Sequence, residues 1–176
     1  MLTSSDPTPH GLRAWENCEP WLVYTVVNFL DGYLEKDMRV FEWGCGGSTI
    51  WYSTRVKEVI SVDHDPVWLD KVNKRIEEKG ITNSKRYLVK KEQCFSNYAN
   101  FAHSVEGLFD LVVVDGRGRV RCMEAGKDIV KPGGYLVLDN SDRSYYADGI
   151  NFLSDWESDY HYDRWGTTIF KKPIGK

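Results

Sequence analysis

Apolar residues along this chain follow two alternating rhythms. Residues 39–44, Glu58–Asp63 and residues 109–115 are short, largely apolar runs bounded by glycine or acid. Their length and flanks predict strands buried on both faces. A weaker run covers residues 86–90, and residues 135–139 follow the turn sequence Lys131-Pro132-Gly133-Gly134. Between these runs the apolar positions recur at helical spacing. Leu22, Val26, Phe29 and Tyr33 mark one helix face, with Pro20 placed in a first turn that has no use for its missing N–H. Residues 48–55 predict a second helix. Leu69, Val72 and Ile76 mark a third, stopped by Gly80, and Cys122, Ala125 and Ile129 a fourth. Residues 92–107 read as a loop with a short helix, and a further helix falls near 145–155. Residues 160–165 and 167–172, divided by Gly166, read as a terminal hairpin. Residues 1–18 form a polar lead-in, and residues 19–176 a single domain.

Strands alternating with helices imply a parallel sheet covered by helices on both faces. Such sheets bind ligands outside the carboxyl ends of their strands, near the point where strand order reverses. Asp63, Asp115 and Asp139 end apolar runs, and Glu42 stands two residues before Gly44. All four acids therefore belong to one edge of the sheet. A carboxylate at the end of a buried strand is costly to desolvate without a partner, so its repetition at four strands points to a ligand site.

The 176 residues, 41% of them hydrophobic, suffice for one sizeable core and not for two. A net charge of −3 argues against a general nucleic-acid partner. Cys18, Cys45, Cys94 and Cys122 form no CxxC pair, and His10, His64, His103 and His161 show no metal-ligand spacing. The first ten residues have neither a basic start nor an apolar run, and no stretch approaches the roughly 20 apolar residues of a membrane span. The expectation is a soluble, cytoplasmic protein without a membrane partner.

The strongest local signal is Glu42-Trp43-Gly44-Cys45-Gly46-Gly47-Ser48-Thr49. Glycines let the backbone turn sharply and let a ligand approach the main chain. The dinucleotide fingerprint G-x-G-x-x-G would need glycine where Thr49 stands, so a pyrophosphate cradle lacks its third element. Asp63 lies 19 residues after Gly44, close to the distance of about 20 at which the next strand supplies an acid to ribose hydroxyls. The competing reading of Asp63 is a cap or turn residue in Asp63-His64-Asp65-Pro66, although Asp65 is the more natural cap.

The segment Val40-Phe-Glu-Trp-Gly-Cys-Gly-Gly-Ser-Thr49 resembles the first motif of class I S-adenosylmethionine-dependent methyltransferases. Ser61-Val-Asp-His-Asp65 resembles their second motif. Phe109-Asp-Leu-Val-Val-Val-Asp-Gly116 and Lys131-Pro-Gly-Gly-Tyr-Leu-Val-Leu-Asp-Asn140 are similar to their later strands. The resemblance covers residues 39–172 and implies a three-layer αβα Rossmann-like sandwich. Its seven-stranded, mostly parallel sheet would have an antiparallel last strand. The resemblance places S-adenosylmethionine against Glu42, Gly44, Cys45, Gly46, Ser48 and Thr49, its ribose against Asp63 beside His64, and its adenine near Glu92, Gln93 and Cys94. It also implies a small-molecule methyl acceptor, with oxygen as the nucleophile.

Methyl transfer is an in-line displacement, so the protein aligns two groups and removes a proton. Asp115, emerging at a strand end before Gly116, is the catalytic candidate. With Asp139 and Asn140 it is similar in placement to the magnesium ligands of cation-dependent O-methyltransferases, which makes Mg2+ a second candidate ligand. An ordinary hydrogen-bonded turn at Asp139-Asn140 stays open beside that reading. Arg117, Arg119 and Arg121 follow Asp115 where such enzymes have a lysine; with Arg143 after the fifth strand, they read either as a grip on an anionic substrate or as solvated helix ends. Trp15 and Trp21 read as packing residues or as a lid. Three other functions compete: a cofactor-binding protein without turnover, an aminopropyltransferase-like enzyme and a nicotinamide oxidoreductase, the last weakened by Thr49.

Overall fold

The computed structural model describes residues 14–175. Most of the predicted lead-in, with His10 and the reading of the first ten residues, lies outside the described residues. The described part of the lead-in is not featureless: Ala14–Asn17 forms a short helix, α1. The elements then run α2 (Tyr24–Tyr33), β1 (Arg39–Trp43), α3 (Gly47–Ser53), β2 (Glu58–Asp63), α4 (Pro66–Glu78), β3 (Ser84–Leu88), α5 (Ser96–Asn100) and β4 (Phe109–Val114). They continue with α6 (Arg119–Ile129), β5 (Val130–Asp139), α7 (Ala147–Asn151), β6 (Glu157–Tyr162) and β7 (Gly166–Lys171).

The seven strands form one sheet in the order β3-β2-β1-β4-β5-β7-β6. β1 to β5 are parallel, and β7 runs antiparallel to both β5 and β6. Side chains alternate across the sheet, and both faces are apolar, which is why the strands read as unbroken runs. Val40, Val59, Leu111 and Val113 pack under α2 and α3 with Val26, Leu30 and Tyr52. Phe41, Trp43, Val112 and Val114 face the other way, against Tyr98 of α5 and Met123 of α6. Leu69, Val72 and Ile76 of α4 meet Ile50 of α3, extending the first layer. Asp65 caps α4, accepting from the backbone N–H groups of Val67 (2.9 Å) and Trp68 (3.1 Å), with Pro66 in the first turn. No described helix is long and apolar enough to cross a membrane.

Several boundaries differ from the sequence reading, each for a local reason. β3 starts two residues earlier, because its register follows β2, with Ser84 opposite Val59 and Leu88 opposite Asp63. The apolar Tyr87-Leu88-Val89 had drawn the reading downstream. Pro20 precedes α2 rather than opening it: Val23 at the N-cap is still extended (ψ 135°). The expected turn at residues 131–134 belongs to β5, because Val130 pairs with Phe109, and Gly133 and Gly134 exchange hydrogen bonds with Lys172. β6 begins at Glu157 as an exposed edge strand whose polar residues carry no alternation signal, and its turn falls at 163–165. The helix near 145–155 shrinks to a 3-10 turn, Ser144–Tyr146, followed by α7.

Candidate functional site

The sheet order reverses between β1 and β4, and the loops leaving these two strands meet there. Gly44 leaves β1 at φ +92°, a conformation suited to glycine, and its N–H donates to the Val62 carbonyl at 2.8 Å. A Cβ on Gly44 would stand 3.0 Å from the backbone nitrogen of Gly116 in the loop after β4. The Asp115 N–H in turn donates to the Trp43 carbonyl (3.1 Å). Two main chains thus touch at the floor of a cleft of about 590 Å³. Gly47 admits the N-terminal segment from above: a Cβ there would lie 2.5 Å from the Ala14 carbonyl.

Glu42 belongs to the face of β1 that lies under α3. It is 1% exposed and accepts hydrogen bonds from Ser48 Oγ (2.8 Å), Ser61 Oγ (2.7 Å) and Thr49 Oγ1. Thr49 Oγ1 also accepts from the Gly46 N–H (3.0 Å). Glu42 and Thr49, expected against the cofactor, are thus bonded to each other below the loop. Both side chains lie beneath the glycine loop and hold it, and neither lines the cleft. The loop's hydroxyl residues were legible in the sequence, but their common carboxylate partner was not.

Burial pushes the Glu42 carboxyl up from 4.5 to about 7, against the pull of its three hydroxyl donors. A carboxyl raised on folding favours the folded state while it is protonated. Its contribution is therefore complete below about pH 4.5 and is lost as pH rises through about 7. We expect Glu42→Gln to remove on the order of 3 kcal/mol of pH-dependent stability across that window. Urea denaturation at a series of pH values measures it, and parallel profiles for the two proteins would contradict the buried-carboxyl account.

Asp63 ends β2 in the cleft wall. Its carboxylate accepts from the backbone N–H groups of His64 (2.7 Å), Asp65 (2.9 Å) and Cys45 (3.1 Å). The ribose and turn readings of Asp63 are thus compatible: it ties the first loop to the second and still faces the cleft, with His64 Nδ1 at 3.3 Å. Burial and the neighbouring Asp63 push the Cys45 thiol well up, and its Sγ stands 3.5 Å from Asp63 Oδ2, which makes it a poor nucleophile.

Asp115 and Asp139 do come together, but around Arg119. Arg119 Nη2 donates to Asp115 Oδ1 at 2.9 Å, and Nη1 stands 3.6 Å from Asp139 Oδ2. The same guanidinium donates to the carbonyls of Asp115, Gly116 and Asp139. Asp139 Oδ1 is taken by Trp165 Nε1 and Thr167 Oγ1, each at 2.8 Å. The magnesium set expected from Asp115, Asp139 and Asn140 is corrected accordingly: an arginine supplies the positive charge these carboxylates share. Among the described residues no group of three or more His, Cys, Asp or Glu is arranged to hold a metal ion. Asn140 (φ +53°) forms the turn that follows and lines the cleft. Burial and Asp139 push the Asp115 carboxyl well above the ordinary aspartate range, with Arg119 pulling the other way.

Of the residues expected at the site, Gly44, Cys45, Gly46, Ser48, Asp63, His64, Asp115 and Asn140 line the cleft. Gln93 does not. It is exposed before α5; of the three residues expected near the adenine, Glu92 and Gln93 lie outside this cleft's lining and Cys94 lines an adjoining one. The sequence reading missed Trp68, whose Nε1 donates to the Cys45 carbonyl (2.7 Å) and whose ring packs 4.9 Å from that of Trp15. It also missed Glu16 and Glu19 on the rim. Their only sequence signal was proximity to α1, which no periodicity marked.

No protein-family model matches the chain, and no curated protein does. Solved structures do match. An rRNA methylase from Streptococcus thermophilus has a TM-score of 0.67 at 15% identity, over 84% of this chain and 93% of its own. A Streptococcus mutans protein described as a candidate methyltransferase, in complex with SAH, gives 0.66 at 15%, over 82% and 94%. The N-methyltransferase NodS from Bradyrhizobium japonicum gives 0.60 at 14%, over 85% and 93%. The chain has the class I methyltransferase fold. Its seven strands and antiparallel β7 are those the resemblance implied. At these identities the likeness is one of architecture; one of these structures is named for rRNA and another for transfer to nitrogen.

Proposed function

We propose that this chain is an S-adenosylmethionine-dependent methyltransferase acting on a small-molecule acceptor, with oxygen as the nucleophile. The observation that carries the reading is the cleft at the β1–β4 reversal. Gly44 and Gly116 bring bare backbone together there, and Asp63 stands beside them. The donor set fits the cofactor: the cleft is lined by five carboxylates, Glu16, Glu19, Asp63, Asp65 and Asp115, against three arginines. That balance suits a ligand carrying a sulfonium and an ammonium group. When bound, the cofactor supplies a methyl group on a cationic sulfur.

The chain's own residues do the rest. Asp63 accepts one ribose hydroxyl at Oδ2, since backbone N–H donors already take both sites on Oδ1 and one on Oδ2, and the site left over faces only the weak Cys45 thiol donor at 3.5 Å. The loop from Gly44 to Ser48 is held in place from below by Glu42. Asp115, kept in position by Arg119, takes the proton of an acceptor hydroxyl; a carboxyl raised by burial is a better base near neutral pH than an ordinary one.

Calorimetry tests the reading. S-adenosylhomocysteine is expected to give a one-site isotherm and NAD a flat one. Asp63→Ala should weaken S-adenosylhomocysteine by about 1.5–3 kcal/mol, the scale of hydrogen bonds to a charged group. NAD binding with no response to S-adenosylhomocysteine would reverse the assignment.

A further inference from the structure

A second cleft of about 420 Å³ opens beside the first and joins it through Gly116, Arg117, Arg119 and Arg143. Its size is that of a small-molecule site. Its charge is one-sided: four arginines line it, Arg117, Arg119, Arg121 and Arg143, with no aspartate or glutamate. Arg119 is already committed to Asp115 and Asp139. The other three are exposed and make no ion pair among the described residues, in a chain whose net charge is −3. They come from separate places, Arg117 from the loop after β4, Arg121 from the first turn of α6 and Arg143 from the loop after β5. Converging cations repel one another, and a carboxylate or phosphate relieves that repulsion while accepting forked hydrogen bonds. Tyr145 and Tyr146 form the far wall. Their rings stand 4.5 Å apart edge to face, and Arg143 Nη1 donates to the Tyr145 hydroxyl (3.1 Å).

We propose that Arg117, Arg121 and Arg143 form the acceptor subsite and that the acceptor is a small anion bearing a carboxylate or phosphate. The proposal rests on the methyltransferase reading of the first cleft. Asp115 immediately precedes Gly116, where the two clefts join, so an acceptor anchored by its anionic end presents its other end beside that carboxylate. The division of charge supports this arrangement: the acid-rich cleft suits the cationic cofactor, and the acid-free one an anion. A cleft of this volume, with Glu16 and Glu19 on the neighbouring rim, suits a small molecule better than a polynucleotide.

The test follows the arginine Nε–Hε signals by NMR while inorganic phosphate or succinate is added, with S-adenosylhomocysteine binding measured on the same samples. One or both anions should move the signals of Arg117, Arg121 and Arg143 at millimolar concentration, and the stronger of the two identifies the anionic group. Arg121→Glu, on an exposed helix turn, should weaken that anion at least about tenfold. Signals that ignore both anions in a protein that binds S-adenosylhomocysteine overturn the subsite alone. Anion binding through these arginines without any S-adenosylhomocysteine binding overturns the methyltransferase reading and leaves an anion site. Unchanged anion affinity in Arg121→Glu overturns the assignment of residues. A single-stranded RNA that binds through the same arginines more than about a hundredfold tighter than its mononucleotide overturns the small-anion class.

Discussion

Arg119→Met is expected to destabilise the fold by about 3–5 kcal/mol at neutral pH, the scale for removing one partner of a buried ion pair. The loss should fall toward the lower end of that range, because the Asp115 side chain keeps 31% of its surface exposed. Methionine fills much of the volume but leaves Asp115 and Asp139 facing each other, and it leaves three carbonyls without their donor. Acid should reverse part of the loss, since protonating Asp115 removes its repulsion with Asp139. Arg119→Lys should fall between the two proteins, because one ammonium cannot reach both carboxylates with a fork. Urea denaturation at neutral and acidic pH measures all three. A methionine variant within about 1 kcal/mol of the parent would show that the pair contributes no more than a surface salt bridge.

The second large effect is on catalysis. Asp115→Asn should lower turnover by about 10²-fold or more while leaving S-adenosylhomocysteine affinity within about tenfold. Asparagine keeps the size and part of the hydrogen bond to Arg119, but it cannot take a proton. It also relieves the repulsion with Asp139, so the variant should fold at least as well as the parent. A large loss of affinity with normal turnover at saturating cofactor would make Asp115 an anchor for the cofactor's ammonium group instead.

The sheet was legible because its strands are buried on both faces and its ligand loops begin with glycine. β2 was read to the residue because apolar positions run from Val59 to Val62 and end in Asp63. The edge strands were not legible to that accuracy: β3 and β6 are largely exposed and polar, so their positions follow from pairing with β2 and β7. The site divided in the same way. Asp63 and Gly44 could be placed by spacing, which is a local property. The partner of Asp115 could not. Arg119 was visible as one of several arginines, but nothing in the chain says that it turns inward between two strand ends while Arg117 and Arg121 stay exposed. The place of Glu42 beneath the loop was not legible for a related reason, since the face of β1 it occupies depends on which layer α3 covers.

The rim of the first cleft has a consequence for synthesis. α1 lies against Gly47, and Arg75 of α4 donates to the carbonyls of Trp15 (2.8 Å) and Glu16 (2.7 Å). On the ribosome α1 emerges before either partner exists, and it acquires its clasp only when a chain segment 60 residues downstream is out. The first part of the described chain to be made therefore waits for a later part before it can be clasped at the mouth of the cleft.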